Sequence, residues 1–326
     1  MSITSKLKNP DSAASRWLDA NFDLDAATKC LGAQVGGADT IRPGGDLKNY
    51  PWANVGHAVE LRLDQACGVH YYKTAGPYGQ MERFTNAGFH DALAMLWGAH
   101  IEEERTSRRN AWVLYFAGVC EGVFFGGRGD ALEIKYKNVL SVIEDSSDWK
   151  RFRSAMAGVR AAGAEDEFEF DVDDHLCLNR LVEMMPVADA VLDDIVTVCD
   201  AMFGSANFRG IRGNPTFVDW PVFDGGAWLG GADGDFMVGN TLYDVKTTIR
   251  PENLWRGATR QLVAYVALDD GDDYQIEELA VFLPRQHGEV ARVSLDEILA
   301  HSTFDNRRDM QLSAKNCLSG TRSTGD

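Results

Sequence analysis

The sequence predicts an α/β fold, because strand and helix patterns alternate in its C-terminal half. Residues 235–246 read as two short strands joined by a tight turn, and residues 276–284 and 289–293 are typical of two further strands. A helical segment that carries Gln261 and Tyr265 lies between them. The chain has 326 residues, of which 45% are apolar, so it can build one large domain or two small ones around a substantial core.

The remaining elements are predicted from local patterns along the chain. In order they are a short helix at Ser12–Asn21, a loop over 31–52, a helix around Val55–Gln65, helical periodicity at Phe89–Arg105, an apolar helix or strand at Trp112–Phe125, helices around 134–145 and 147–162, an exposed acidic loop over 164–174, helical residues at Leu176–Phe203 with a break near Pro186, a connector over 207–224, a short helix at Leu295–His301 and a frayed tail over 302–326.

The predicted hairpin contains the charged residues of greatest interest. Gly239-Asn240 is a good turn pair, because both residues tolerate positive φ. Asp235 opens the first strand, and Asp244 and Lys246 close the second on one shared face, because they are two residues apart. Folding the hairpin brings Asp235 beside Asp244. Two carboxylates next to an ammonium group suit Mg²⁺ and the hydrolysis of phosphodiesters.

This pattern resembles the PD-(D/E)XK nucleases, in which an Asp precedes (Asp/Glu)-x-Lys by about ten residues. The closer likeness is to the RecB-like branch, whose next helix carries Gln-x-x-x-Tyr, here Gln261 and Tyr265. That branch also has an acidic or His residue in an upstream helix, here Glu60 after Gly56. The resemblance covers about residues 50–63 and 210–300, and the four elements occur in the family's order.

The resemblance implies a restriction-endonuclease-like core, that is, a central mixed sheet flanked by helices, with a sizeable helical insertion. We expect an N-terminal helix and loop over 1–50, the nuclease domain over 51–300 with its insertion at about 85–205, and a flexible tail over 301–326.

The metal ligands that the resemblance implies are Glu60, Asp235, Asp244 and the backbone carbonyl of Val245, which would hold Mg²⁺ or, in its place, Mn²⁺. Asp233 competes with Asp235 as the ligand from the first strand, and we favour Asp235 because an apolar run follows it directly. Glu60 has an ordinary alternative as a solvated carboxylate on a helix. No iron–sulfur cluster is expected, because the six cysteines are scattered and contain no Cys-x-x-Cys pair.

The catalytic roles follow from charge and from the same resemblance. Lys246 would orient or deprotonate the attacking water and stabilise developing charge. Gln261 and Tyr265, one helical turn apart, would position the lysine and the substrate strand. The alternative for Asp244 and Lys246 is a plain salt bridge at the end of a strand.

The net charge of −17 is unfavourable for tight binding of nucleic acid by the free chain, since phosphate contacts need Lys and Arg. Residues 246–265 nevertheless carry a local excess of positive charge, and Arg250, Arg256 and Arg260 are the expected phosphate contacts. Residues 165–174 hold seven acids and would be able to cover this basic rim when the enzyme is idle. The balance favours weak binding or binding that a protein partner assists.

The sequence shows neither a long apolar run nor the apolar core of a signal peptide, so we expect a cytoplasmic protein with reduced, buried thiols and no membrane partner. Three functions remain open. The first is a metal-dependent deoxyribonuclease in DNA repair, phage biology or antiviral defence, with RNA as the alternative polymer. The second is a non-catalytic nucleic-acid-binding or assembly subunit with a nuclease fold. The third is a metal hydrolase of a small phosphorylated molecule, disfavoured by the lack of a Walker-type loop.

Overall fold

The computed structural model describes residues 3–35, 37, 39–45, 47–68, 105–125, 150–151, 154–155, 182–183, 185–229 and 231–319. In chain order the helices are α1 (Ile3–Lys8), α2 (Ala13–Asn21), α3 (Asp25–Gln34), α4 (Trp52–Ala66), α5 (Arg108–Phe125), α6 (Asp189–Gly204), α7 (Ala206–Ile211), α8 (Trp255–Leu268), α9 (Leu295–Leu299) and α10 (Arg307–Leu318). The strands are β1 (Phe217–Asp219), β2 (Phe236–Val238), β3 (Thr241–Val245), β4 (Glu278–Leu283) and β5 (Glu289–Ser294).

The chain divides into two compact units, unit 1 with Met1–Thr40 and Ser205–Asp326, and unit 2 with Ile41–Gly204. Unit 1 contains a mixed five-stranded sheet in the order β1-β2-β3-β4-β5. The β3–β4 pair is parallel and the other pairs are antiparallel. Helix α8 connects β3 to β4, as a parallel pair requires a crossover. The α/β class with helices around a mixed sheet is confirmed.

The core of unit 1 lies between the sheet and α8. Leu242 of β3 and Leu279 and Val281 of β4 point toward the same cluster as Leu262 and Val266 of α8, and all five side chains are fully buried. Alternate residues of a strand share a face, so β3 sends Leu242 into this core and must also turn Asp244 toward it. The sheet therefore places a carboxylate at the edge of an apolar interior.

The N-terminal helices and the C-terminal helix belong to this core. The prediction of a flexible tail from residue 301 is wrong for residues 307–318, which form α10. Met310, Ala314 and Leu318 recur at helical spacing and are buried, and Asn306 caps the helix by accepting a hydrogen bond from the Asp309 N–H at 3.0 Å. Apolar residues four apart bury one helix face even when the rest of the segment is polar.

Two local features close the sheet at its β5 side. The Gln34 side chain of α3 pairs with the backbone of Arg292 through hydrogen bonds of 2.6 and 2.9 Å and so covers the free edge of β5. The sequence patterns did not predict α3. Gly288 directly precedes β5 with φ of +70°, and a methyl group there would lie 2.4 Å from the Ser205 Oγ. Only glycine fits both conditions.

Unit 2 is helical in its described part, where α4, α5 and α6 pack together. Gly118 allows α5 to approach α4 closely, since a methyl group there would lie 2.9 Å from the His57 Cβ. Arg62 is fully buried, donates to Thr106 and Gln65, and lies 4.6 Å from the Phe203 ring centroid.

Several element predictions are confirmed: the helix at Ser12–Asn21 (α2), the helix around Val55–Gln65 (α4), the strands β2 to β5 and the helix that begins at Leu295 (α9). The segment Trp112–Phe125 is helical rather than extended, and residues 186–188 interrupt the helical pattern before α6. The expectations for Phe89–Arg105, for most of 134–162 and for the acidic segment 165–174 concern chain outside the described residues.

The described helices include none that is both long and apolar enough to cross a membrane. The expectation of buried thiols is correct for Cys199 alone among the described free cysteines: burial raises the pKa of its thiol to about 12. Cys30 and Cys67 are half-buried, and Cys317 is exposed on α10.

Candidate active site

The hairpin of β2 and β3 forms as predicted and aligns Phe236 with Tyr243 and Val238 with Thr241. Gly239 takes positive φ, +57°, whereas Asn240 does not, so the turn needs glycine at its first position only. Asp235 directly precedes β2, and its Oδ2 accepts a hydrogen bond from the Val245 N–H at 2.5 Å. The side chain of Asp235 is thereby attached to the end of β3.

Asp244 and Lys246 form the ion pair at the centre of the candidate site. Asp244 is buried, with 1% of its side chain exposed, and its Oδ1 lies 2.5 Å from the Nζ of Lys246. The Lys246 side chain is 31% exposed, so the ammonium group joins a buried carboxylate to the surface. The predicted shared face of the two residues is confirmed by this contact.

Helix α8 adds a phenol to the same place. Gln261 Nε2 donates to the Tyr265 hydroxyl at 2.8 Å, and the Tyr265 ring stacks on Phe223 at 5.2 Å between centroids. Burial raises the pKa of Tyr265 well above its usual value, and the negative charges of Asp235 and Asp244 raise it further. Helix α8 packs against β3, the strand that carries Asp244, so the helix and the hairpin meet on this side of the sheet.

Asp233 and Asp235 have different surroundings in the structure. Asp233 lies in an isolated bridge with Val222, and its charge acts less on Tyr265 than that of Asp235. Asp235 is bonded to the end of β3 through the Val245 N–H. This bond supports the preference for Asp235, and the choice between the two carboxylates as ligand stays a prediction.

A further carboxyl lies on the neighbouring strand. Asp219 of β1 stands opposite Phe236 of β2, and its Oδ1 is buried with no hydrogen-bond partner among the described residues. Burial raises the pKa of this carboxyl to about 7, against the lowering effect of a bond to the Trp220 backbone. No signal in the sequence distinguished Asp219 from an ordinary strand residue.

The three predicted phosphate contacts differ in their surroundings. Arg250 and Arg256 are exposed. Arg260 instead forms an ion pair with Asp19 of α2 and donates to the Ser15 Oγ at 2.7 Å. These contacts attach α2 to α8, and a role for Arg260 as a phosphate contact stays a prediction.

Glu60 belongs to unit 2, on α4, whereas the other predicted site residues belong to unit 1. Its Oε2 lies 3.6 Å from the Nδ1 of His57, three residues earlier, and its side chain is 31% exposed. The role of Glu60 as a metal ligand stays a prediction.

The donor set in unit 1 fits Mg²⁺ only as a partial shell. Nowhere in the described part of the chain do three or more His, Cys, Asp or Glu side chains group as metal ligands. Mg²⁺ is usually held by one or two carboxylates, and water and substrate phosphate fill the remaining positions. Asp235, Asp244 and the Val245 carbonyl would be ligands of that kind, since Asp244 and Val245 end β3 and Asp235 is bonded to the Val245 N–H.

Sequence reasoning also missed two buried polar residues, Arg285 and Gln286, which bind the segment after Lys246. They follow β4 in a short 3₁₀ turn, Pro284–Gln286, and no motif marks them. Comparison with protein-family models, curated proteins and solved structures finds no match to this chain.

Proposed function

We propose that this chain is a Mg²⁺- or Mn²⁺-dependent nuclease of the PD-(D/E)XK type, close to the RecB-like branch, that hydrolyses phosphodiester bonds of DNA. The observation that carries the proposal is the convergence at the end of β3. Asp244 bound to Lys246 and Asp235 bound to the Val245 N–H lie close enough to Tyr265 to raise its pKa. A plain strand-end salt bridge needs neither the second carboxylate nor the buried phenol.

The donor oxygens of Asp235, Asp244 and the Val245 carbonyl would hold the metal ion, which supplies neutralisation of the phosphate and an acidified water. Lys246 brings a positive charge to a half-exposed position 2.5 Å from a buried carboxylate. From there its ammonium group can bind a phosphate oxygen or the attacking water and stabilise negative charge as it develops.

Tyr265 contributes as a neutral group. Its pKa lies well above the ordinary value, because burial and nearby carboxylates disfavour the phenolate, so it stays protonated at neutral pH and does not serve as a base. Gln261 donates to its hydroxyl oxygen, which leaves the phenolic hydrogen available to orient a neighbouring oxygen. Tyr265 and Gln261 thus position the site.

The distribution of charge supports a DNA substrate that the free chain binds weakly. Arg250 and Arg256 are exposed on the segment between Lys246 and Gln261, and they are suited to phosphate contacts. The net charge of −17 opposes strong non-specific binding. We therefore expect a protein partner or an oligomer to complete the substrate surface, in a DNA repair, phage or defence setting, with RNA as the alternative polymer.

The test is cleavage of labelled single- and double-stranded DNA and RNA with Mg²⁺ or Mn²⁺. Lys246→Ala and Asp244→Ala should each abolish cleavage, as should EDTA. Lys315→Ala is the matched control, because it removes a Lys–Asp pair of similar length, 2.6 Å to Asp270, elsewhere in unit 1. Cleavage that survives both site substitutions, or that falls equally in the control, would overturn the assignment.

The second candidate is a binding or assembly subunit, which the strongly acidic net charge favours. It predicts that the pure protein cleaves none of these polymers with either metal, while Mn²⁺ binding, measured by calorimetry, is unaffected by Asp244→Ala. Under the nuclease proposal the same substitution weakens Mn²⁺ binding.

A further inference from the structure

The backbone after Lys246 leaves the sheet at once. The Lys246 N–H donates to the Phe282 carbonyl at 2.9 Å, which is the last rung of the ladder between β3 and β4. The backbone carbonyls of the following two residues, Thr247 and Thr248, accept hydrogen bonds from side chains instead of from a neighbouring strand. The position of Lys246 in the candidate site thus depends on what holds the segment directly behind it.

Two fully buried side chains hold that segment. Arg285 Nε donates to the Thr247 carbonyl at 3.0 Å. Gln286 Nε2 donates to the Thr248 carbonyl at 3.1 Å and to the Thr40 Oγ1 at 3.2 Å. Arg285 and Gln286 each have 0% of their surface exposed. Thr40 is the residue at which the chain passes from unit 1 to unit 2.

Burying such groups is costly, because a guanidinium and an amide lose their water. A turn that needed only packing would be served by apolar side chains of similar size. Here successive residues of one 3₁₀ turn instead bind successive carbonyls of one loop, at Thr247 and Thr248. Their placement fixes the backbone on one side of Lys246, while the bond to Phe282 fixes it on the other.

We propose that Arg285 and Gln286 are positioning residues of the candidate site, which hold the 247–248 segment so that the Lys246 ammonium stays on Asp244. The long side chain of lysine has many rotamers, and losing the backbone restraint would let the ammonium leave the carboxylate. The inference deepens the proposed nuclease function, because that function assigns Lys246 to the reaction. The positioning itself can be measured without any substrate.

The measurement is the reactivity of Lys246 toward an amine-selective anhydride at limiting concentration, followed by mass spectrometry of the peptide that contains it. Pairing with Asp244 should make this amine slow in the wild type. Arg285→Met and Gln286→Leu should each speed its labelling by about tenfold, which corresponds to losing about 1.4 kcal/mol of ion-pair free energy. Arg285→Lys keeps the charge and a donor and should restore part of the protection.

The control is Met310→Ala on α10, which removes a fully buried side chain from the same unit without touching residues 247–248. It should destabilise unit 1 and leave the labelling rate of Lys246 unchanged. Gln286→Leu removes only neutral hydrogen bonds, so it provides the test if Arg285→Met does not fold. The proposal would be overturned if Lys246 in the folded variants were labelled at the wild-type rate, or if Met310→Ala accelerated the labelling of Lys246 equally.

Cleavage assays separate this inference from the function on which it rests. If the wild type cleaves DNA, Gln286→Leu should lower kcat and leave KM unchanged, because it disturbs Lys246 and not the exposed arginines. Faster labelling with unchanged kcat would refute a role in the reaction. If the wild type cleaves nothing, the nuclease proposal fails, and the labelling result still decides whether Arg285 and Gln286 position Lys246.

Discussion

The replacement of Tyr265 by phenylalanine tests the geometry of the candidate site without assuming any activity. At neutral pH the change removes the hydrogen bond from Gln261 and keeps the ring stacked on Phe223. A neutral hydrogen bond contributes about 1 kcal/mol to folding, so Tyr265→Phe should be less stable than the wild type by about that amount at pH 7.

At alkaline pH the sign should reverse. The folded pKa of Tyr265 is raised, by burial first and then by Asp235 and Asp244, so the unfolded chain ionises this tyrosine at about pH 10 while the folded chain does not. The wild type therefore loses about 1.4 kcal/mol of stability per pH unit above 10 through this group alone. The phenylalanine variant has no phenol to ionise and avoids this loss.

The two stability curves should therefore cross between about pH 10 and 11. Urea unfolding followed by tryptophan fluorescence, at a series of pH values with EDTA present, measures both curves. Tyr274→Phe is the matched control: its hydroxyl bonds to the Val222 backbone, and its pKa is raised less, so its benefit at high pH should be smaller. Parallel curves for wild type and Tyr265→Phe would refute the raised pKa of this phenol and the burial that chiefly causes it.

Three further predictions concern stability and binding. Gly288→Ala should cost about 3 kcal/mol, since left-handed strain and overpacking add. Gly239→Ala should cost about 1 kcal/mol in urea unfolding, because φ is positive there but the nearest atom to an added methyl, the Thr216 Oγ1, lies at an ordinary 3.8 Å; similar values would remove the packing argument. Burial raises the pKa of Asp219 to about 7, so folding takes up a proton between about pH 4 and 7. The stability of the wild type therefore falls as the pH rises through this range. Asp219→Asn should flatten this fall and be more stable than the wild type at pH 8 by the same assay. Arg256→Ala should weaken DNA binding and reduce the slope of log K against log salt concentration by about 1. Arg260→Ala should mainly lower the midpoint of thermal unfolding. If Arg260→Ala instead weakens DNA binding and leaves the midpoint unchanged, Arg260 belongs to the substrate surface.

The local part of the candidate site could be predicted from the sequence. A period of two places Asp244 and Lys246 on one face, and a glycine-containing turn returns Asp235 to them. A spacing of four places Gln261 and Tyr265 on one face of a helix. Each inference joins residues only a few positions apart, where backbone geometry leaves little freedom.

Contacts between distant segments could not be predicted in this way. Arg260 looked like a phosphate ligand because its neighbours in sequence are basic, and only packing shows that Asp19 of α2 pairs with it. The segment of α10 looked like a tail because most of its residues are polar, although three buried apolar residues decide its place.

Sequence by itself determined which chemical groups the hairpin and α8 present and in what order. Tertiary structure alone decided that α8, which carries the phenol, packs on β3 and that Arg285 and Gln286 hold the loop behind Lys246. The physical reason is that secondary structure has a short, fixed period, whereas a contact across tens of residues depends on which faces pack together and leaves no periodic trace in the chain.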